Sequence, residues 1–335
     1  MMKNFSDIWI LGEQFEGRIQ RISHELLARG ADLAKKRSCR LCAMVFGHQI
    51  NKDDLYELVE RGADVVVAME SPELEYFLVE PYSRCMKEII AKFRPEIILG
   101  GATSTGRTLL PYVAMSVYTG LTADCTAFDI DESTGNLLQT RPAIGGNIMA
   151  TIKTERFRPQ MATVRPRSTK PSPRQPGRKG EIMYLRPESD LHSRIVRAGL
   201  IPNEELKSIQ EAEIVVVAGR GIKKPENLKI VRELADAVGG ALGATRDVVD
   251  RGWLSYPHQV GLSGKTISPK LYIGIGVSGA IQHLAGMQTA ETIIAVNNDP
   301  DAQIFKVADF GIVGDLFEVV PSLTKMLKVN KIVNF

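Results

Sequence analysis

The sequence predicts an α/β protein of two domains, each built on a mainly parallel sheet flanked by helices. Three observations carry this. Short apolar runs that do not alternate with polar residues recur along the chain, as expected of strands buried on both faces. Segments with apolar residues at threes and fours separate them, giving the strand–helix alternation of a parallel sheet. The 335 residues are about twice an ordinary domain, with 44% hydrophobic residues to fill two cores and 24% charged residues to cover them.

In the first half, residues 8–12 read as a strand, and 16–36 as a helix from the spacing of Ile19, Ile22, Leu26, Leu27 and Ala31. Strands follow at 41–46, 63–69 and 96–100, with helices at 53–61, 72–92 and 107–118. Beyond Leu121 the texture changes. Turn signals at 129–135 and 141–146 separate strand-like runs that read as hairpins completing a sheet edge, and 161–164 reads as the last short strand. Residues 165–180 hold six Lys/Arg, four prolines and no acid, so they cannot form a core. Without aromatic residues for base stacking, this stretch reads as a solvated connection rather than a nucleic-acid tail. Residues 187–210 look like a linker with some helix.

The second half repeats the pattern with strands at 213–218, 271–275, 292–296 and 311–313. Helices are expected at 227–238, 279–285 and from Pro321 to 327, with a helical turn at 304–307; proline suits a first helical turn. The domains are thus residues 1–190, a linker at 191–210, and residues 211–335.

Composition narrows the function. Lys and Arg number 42 against 39 Asp and Glu, a net charge of +3, which argues against a surface built for nucleic acid. No apolar run is long enough to span a membrane, and the N-terminus lacks the pattern of a signal or transit peptide, so the cytoplasm, or a chain already processed, is expected. Cys39 and Cys42 are spaced as C-x-x-C but run into a strand, so with Cys85 and Cys125 they read as buried thiols. His24, His48, His192, His258 and His283 are scattered, and no metal site is expected.

Chemistry gathers in the second half. Gly274, Gly276 and Gly279 form G-x-G-x-x-G after an apolar strand and before a helical run, the context in which backbone amides meet a pyrophosphate. A plain tight turn is the alternative. Asn297, Asn298 and Asp299 end the next strand about twenty residues on, where a ribose partner belongs in a Rossmann-like domain. Arg220-Gly221, Thr245-Arg246, the loop from Gln259 to Lys265, Ser278, Asn297 and Asp315 all follow strand ends or their equivalents, and in a parallel sheet those ends share one edge.

These residues stand in segments that resemble a known family. GRGIKKPEN, GATRDVVDRGW, HQVGLSGKT, YIGIGVSGAIQHLAGM and NNDPDAQIFKVADFGIVGDLFEVVP, with GLTADCT, TRPAIGGNIMA and PQMATVRP in the first half, are similar to the alpha subunit of electron-transfer flavoprotein. The resemblance implies a heterodimer whose beta subunit caps one extended FAD on the C-terminal domain. It places Arg220, Thr245, Arg246, Gln259, Val260, Gly261, Leu262, Ser263, Ser278, Gly279, Ala280, Ile281, Gln282, His283, Asn297, Asp315 and Leu316 along that FAD. Arg246 would lie against the isoalloxazine and raise its potential by favouring negative charge, unless it pairs with Asp247 or Asp250. His283, one turn into a helix opened by Ser278, would donate to the C2 oxygen as a neutral imidazole, unless it is a core histidine. Ser263 would meet N5, and Ser278 with the Gly279 amide would meet the pyrophosphate.

The family loop usually reads QVGQTGK; here it is QVGLSGK, so Leu262 has lost an amide and Ser263 a methyl, and Thr245 replaces the usual Ser. The implied function is electron transfer to or from a flavin dehydrogenase of acyl-CoA or 2-hydroxyacid type. The QFEG stretch at 14–17 resembles anaerobic forms that draw on NADH and bifurcate electrons toward ferredoxin. The alternatives are an NAD(P)-dependent dehydrogenase, for which His258 is the one other histidine in the region, and a nucleotide-binding module without redox chemistry.

Overall fold

A computed structural model describes residues 5–143, 148–199, 209–210 and 212–330. The chain divides into two compact units, Met1–Gly199 and Leu200–Phe335.

The first unit runs β1 (Ser6–Gly12), β2 (Gln14–Phe15), β3 (Arg18–Ile19), α1 (Arg21–Arg37), β4 (Leu41–Gly47), α2 (Lys52–Glu60), β5 (Val65–Glu70), α3 (Val79–Phe93), β6 (Pro95–Gly101), α4 (Ser104–Ser116), β7 (Leu121–Cys125), β8 (Ala127–Ile130), β9 (Leu137–Pro142), β10 (Met149–Lys153), β11 (Gln160–Val164) and β12 (Glu181–Leu185). Seven strands form one sheet in the order β12-β5-β4-β1-β6-β11-β7, and every pairing in it is parallel. Alternate residues serve opposite faces. Ile8, Ile10, Ala43 and Val45 pack with α1 and α2, while Trp9, Leu11, Met44 and Phe46 pack with α3 and α4. Cys39 and Cys42 fall on these opposite faces, and burial pushes the Cys42 thiol up to about 12, so this pair is not a redox couple.

Several local expectations are corrected. The helix expected from residue 16 starts at Arg21, because Gly17 at φ +76° turns β2 back on β3. The helix expected over 72–92 is a 3₁₀ turn at Pro72–Leu74 and then α3, separated by extended backbone at Leu78. α4 starts earlier than expected, at Ser104, because the Thr103 hydroxyl caps the Gly106 amide at 3.0 Å. The hairpins do not complete the main sheet. β8, β9 and β10 form a separate antiparallel sheet, and β11 lies inside the main sheet between β6 and β7. The turn expected over 141–146 lies partly outside the described residues.

β12, unforeseen in the sequence, forms the far edge beside β5. The basic stretch carries the chain to it, and its arginines pair with acids of the same unit: Arg165 with Asp124 at 2.7 Å, Arg178 with Asp64 at 2.7 Å, and Arg174 with Glu60. The stretch is thus a strap held on the unit. Residues 186–199 form no helix; Glu88 accepts from the Ser189 amide and Glu80 from the Arg194 amide, tying this segment to α3.

The second unit runs β13 (Ile214–Ala218), α5 (Leu228–Ala237), β14 (Ala241–Ala244), α6 (Arg246–Asp250), β15 (Leu271–Ile275), α7 (Ile281–Leu284), β16 (Thr292–Asn297), β17 (Phe310–Val313) and α8 (Leu316–Asn330). Its sheet is wholly parallel in the order β14-β13-β15-β16-β17. One face packs Val216, Ala218 and Ile275 against α5 and α8. The other packs Val215, Val217 and Tyr272 against Val260, Val277, Met287 and Ile304, which belong to loops and single helical turns. Two expectations change. The helix over 279–285 shrinks to the four residues of α7, and α8 starts at Leu316 rather than Pro321 because Asp315 accepts from the Phe317 amide at 2.9 Å.

Glu13 follows β1 where β1 adjoins β6. Its carboxyl accepts from the Thr103 hydroxyl at 2.8 and 2.9 Å, and burial raises its pKa to about 7 against that bond. A carboxyl raised in the folded state costs stability above its unfolded pKa. The cost therefore grows from about pH 4.5 and is complete above about pH 7, at about 3 kcal/mol. Denaturant unfolding of the first unit should show Glu13→Gln gaining on the wild type by that amount between pH 5 and pH 8; a gap independent of pH contradicts the assignment.

Candidate functional site

All five strands of the second sheet end on one edge, and their order reverses between β13 and β15. Ligands of open α/β sheets bind at that reversal. Glycines make the place. β13 leads into Gly219-Arg220-Gly221 and β15 into Gly276-Val277-Ser278-Gly279, and the two exits touch backbone to backbone. The Gly219 amide donates to Ile275 O at 2.8 Å and the Gly221 amide to Gly276 O at 3.1 Å. A Cβ on Gly219 would lie 2.1 Å from Gly276 O, and one on Gly276, at φ +62°, 2.8 Å from Gly221 Cα. No other residue type fits either place.

Beyond this crossing the backbone from Ser278 to Gln282 lies along the rim. The five amides of Ser278, Gly279, Ala280, Ile281 and Gln282 meet no protein acceptor among the described residues. Ser278, Ala280, Ile281 and Gln282 are exposed, so these donors and the Ser278 hydroxyl are open to a ligand. The Ile304 amide holds Ser278 O at 3.1 Å, and a Cβ on Gly279 would strike Ile304, which fixes the turn. A row of unpartnered amides with one hydroxyl fits an anion such as a pyrophosphate. The loop, rather than a long helix dipole, supplies the donors, since α7 is a single turn.

The second wall is the loop from Gln259 to Lys265. Val260 is buried, Gly261 takes φ +146°, and the Leu262 amide donates to Gln282 O at 2.7 Å, joining this loop to the amide row. Gln259, itself buried, donates through Nε2 to Ser263 Oγ at 3.1 Å, and Tyr256 donates its hydroxyl to Ser263 O at 2.9 Å. Leu262 and Ile281 are 70% and 68% exposed, two aliphatic side chains at the mouth of the rim.

The sequence-predicted residues fall into two groups. Arg220, Arg246, Leu262, Ser263, Ser278, Ala280, Ile281, Gln282 and Asp315 are exposed and Thr245 is half-buried, all at strand-end loops; Gly261 and Gly279 shape two of those loops. Gln259, Val260, His283, Asn297 and Leu316 are buried and support the rim from inside. Three roles change. Asn297 donates to Val277 O at 2.8 Å and accepts from the Asp299 amide at 3.0 Å, so its side chain is engaged with backbone rather than offered to a ribose. Arg246 forms the ion pair with Asp250, at 3.1 Å, and its side chain is 71% exposed. His283 has both ring nitrogens engaged inside the unit, Nδ1 with Val260 O at 3.0 Å and Nε2 with the Tyr272 hydroxyl at 2.8 Å, which leaves neither for a flavin C2 oxygen. It is nonetheless neutral as expected, because burial pulls its pKa down to about 4.

Tyr272 and the Gly219–Gly276 contact were not singled out from the sequence. A lone hydroxyl in an otherwise apolar strand was the available signal for the first, and the glycine pair flanking Arg220 for the second. Gly219→Ala forces backbone apart where no side chain can yield. It should destabilise the second unit by about 3 kcal/mol or more, read in thermal unfolding as early melting of that unit; unchanged melting refutes the close contact.

Comparison with known proteins agrees with this reading. Residues 8–189 match the electron transfer flavoprotein domain, and residues 208–288 match the electron transfer flavoprotein FAD-binding domain. The chain is 46% identical over 331 residues to an electron transfer flavoprotein subunit alpha of Thermoanaerobacterium thermosaccharolyticum, covering 98% of this chain and 99% of that protein. It is 39% identical to an acryloyl-CoA reductase electron transfer subunit beta of Anaerotignum propionicum, over 98% of both chains. It is 40% identical to the lactate dehydrogenase (NAD(+),ferredoxin) subunit LctC of Acetobacterium woodii, over 97% of this chain and 77% of that protein. The glycine crossing and the whole amide row lie within the FAD-binding match, and the chain belongs to the electron transfer flavoprotein alpha-subunit family, with FAD as its cofactor.

Proposed function

We propose that this chain is the alpha subunit of a heterodimeric electron carrier whose single FAD runs along the C-terminal rim of the second sheet. The observation that carries the reading is the row of unpartnered amides from Ser278 to Gln282 beside the glycine crossing, a ready receptor for the pyrophosphate of a dinucleotide. Bound FAD supplies reversible uptake of electrons at its ring system. The chain's own residues do the rest. Ser278 adds a hydroxyl to the amide row. Leu262 and Ile281 give the ring end an apolar margin that limits water. Ser263, held by Gln259, presents its hydroxyl toward the ring, and Arg246 brings a charge that does not titrate.

Arg246 reaches the ring by giving up Asp250. An exposed pair of this kind is worth about 0–1 kcal/mol, so exchanging it for a partner beside the ring costs little.

The electron partners follow from the relatives. Likeness to subunits of an acryloyl-CoA reductase and of a lactate dehydrogenase supports exchange with a flavin dehydrogenase of the acyl-CoA or 2-hydroxyacid type. The second of these, with the QFEG stretch, supports a link to NADH and ferredoxin. Such exchange would take place in the cytoplasm; no helix among the described residues is long and apolar enough to cross a membrane. A self-contained NAD(P)-dependent dehydrogenase needs a proton-transfer group at the rim. His258 is buried with Nδ1 against Ser255, which disfavours that reading.

Co-expression with the beta subunit should yield a yellow heterodimer with one FAD on this chain. Arg246→Ala should lower the flavin midpoint potential by about 1 kcal/mol or more per electron, with thermal stability within about 0.5 kcal/mol of the wild type. A colourless complex refutes the cofactor assignment; an unchanged potential in reductive titration refutes the role of Arg246.

A further inference from the structure

The Tyr272 ring lies wholly inside the second unit, and among the described residues its hydroxyl has one partner, His283 Nε2. His283 in turn meets Val260 O through Nδ1. A carbonyl oxygen only accepts, so Nδ1 carries the ring proton and Nε2 is bare, accepting from the phenol. This fixes direction along the chain: Tyr272 O–H to His283 Nε2, then Nδ1–H to Val260 O. The three groups come from β15, from α7 and from the loop of Gln259 to Lys265. Backbone closes the same seam, with the Leu262 amide on Gln282 O at 2.7 Å and no room for a Cβ on Gly286, which would lie 2.5 Å from Gly261 Cα.

We propose that Tyr272 is a positioning residue for the cofactor rim: its phenol holds His283 as the neutral Nδ1–H tautomer, and through His283 it fixes the loop bearing Leu262 and Ser263 against the amide row of Ser278–Gln282. Its effect on the cofactor rests on the proposed FAD site; the lock itself does not. Loss of the phenol leaves a buried nitrogen with no donor, and His283 is then free to carry its proton on either nitrogen. Once it does, the Val260 carbonyl loses its donor and the loop loses its anchor. A rim that is competent only part of the time binds its ligand more weakly in proportion.

The test uses the full chain, in the complex in which it purifies, with nitrogen-15-labelled histidine. At pH 7 the wild-type His283 should show a protonated Nδ1 and an unprotonated Nε2. Tyr272→Phe should give a mixture of tautomers and weaken FAD about fivefold, the effect of one lost hydrogen bond, with the flavin spectrum of the bound form retained. A wild-type His283 protonated at Nε2 overturns the lock, and that measurement stands even if the variant fails to fold. A variant that keeps both the tautomer and the FAD affinity overturns it as well. The stated tautomer in a wild type that binds no FAD supports the lock and refutes the cofactor reading.

Discussion

The backbone contact between Gly219-Arg220-Gly221 and Gly276 governs the second unit. Two parallel strands leave the sheet side by side, and at their ends the carbonyl of Gly276 stands where any side chain on residue 219 would have to go. With no bulk between them, the β15 exit turns sharply and its next residues run along the rim instead of over it. Their amides meet no acceptor among the described residues. The place of Ser278, the anchoring of Gly279 on Ile304 and the single-turn length of α7 all follow from that departure.

The two units share an architecture and differ in chemistry at the corresponding place. In the first, the reversal between β1 and β6 is filled by Glu13, buried and bonded to Thr103, and a carboxyl there repels phosphate when ionised. In the second, the reversal between β13 and β15 offers amides, a serine and the nearby Arg220. Core packing is divided in the same spirit. The second sheet has one face under α5 and α8, while the other is covered by the loops that form the rim, Val260 and Val277 among them.

The sheet strands of both units are largely legible because all-apolar runs such as residues 65–69 and Ile214–Ala218 have no other use than a doubly covered sheet. The exceptions have physical causes. β12 reads weakly because it is an edge strand, half wet, and only its pairing with β5 makes it a strand. Pro321 misplaces the start of α8 because a capping aspartate six residues earlier outweighs one missing N–H. At the site, G-x-G-x-x-G and strand ends mark exposed residues such as Arg220, Arg246, Ser278 and Asp315, while Ala280, Ile281 and Gln282 come from the resemblance. Side-chain direction is not legible: the resemblance places His283, and its strand end Asn297, beside the ligand, whereas each faces inward to satisfy a backbone carbonyl, a demand that appears only when the chain is folded.

The most direct test is hydrogen exchange of the rim amides in the complex with and without FAD. The amides of Ser278 to Gln282, which have no acceptor among the described residues, should exchange fast without the cofactor and become protected when it binds. Continued fast exchange there with FAD bound, or protection appearing instead at Thr103–Gly106 of the first unit, would contradict the assignment of the cofactor to this rim.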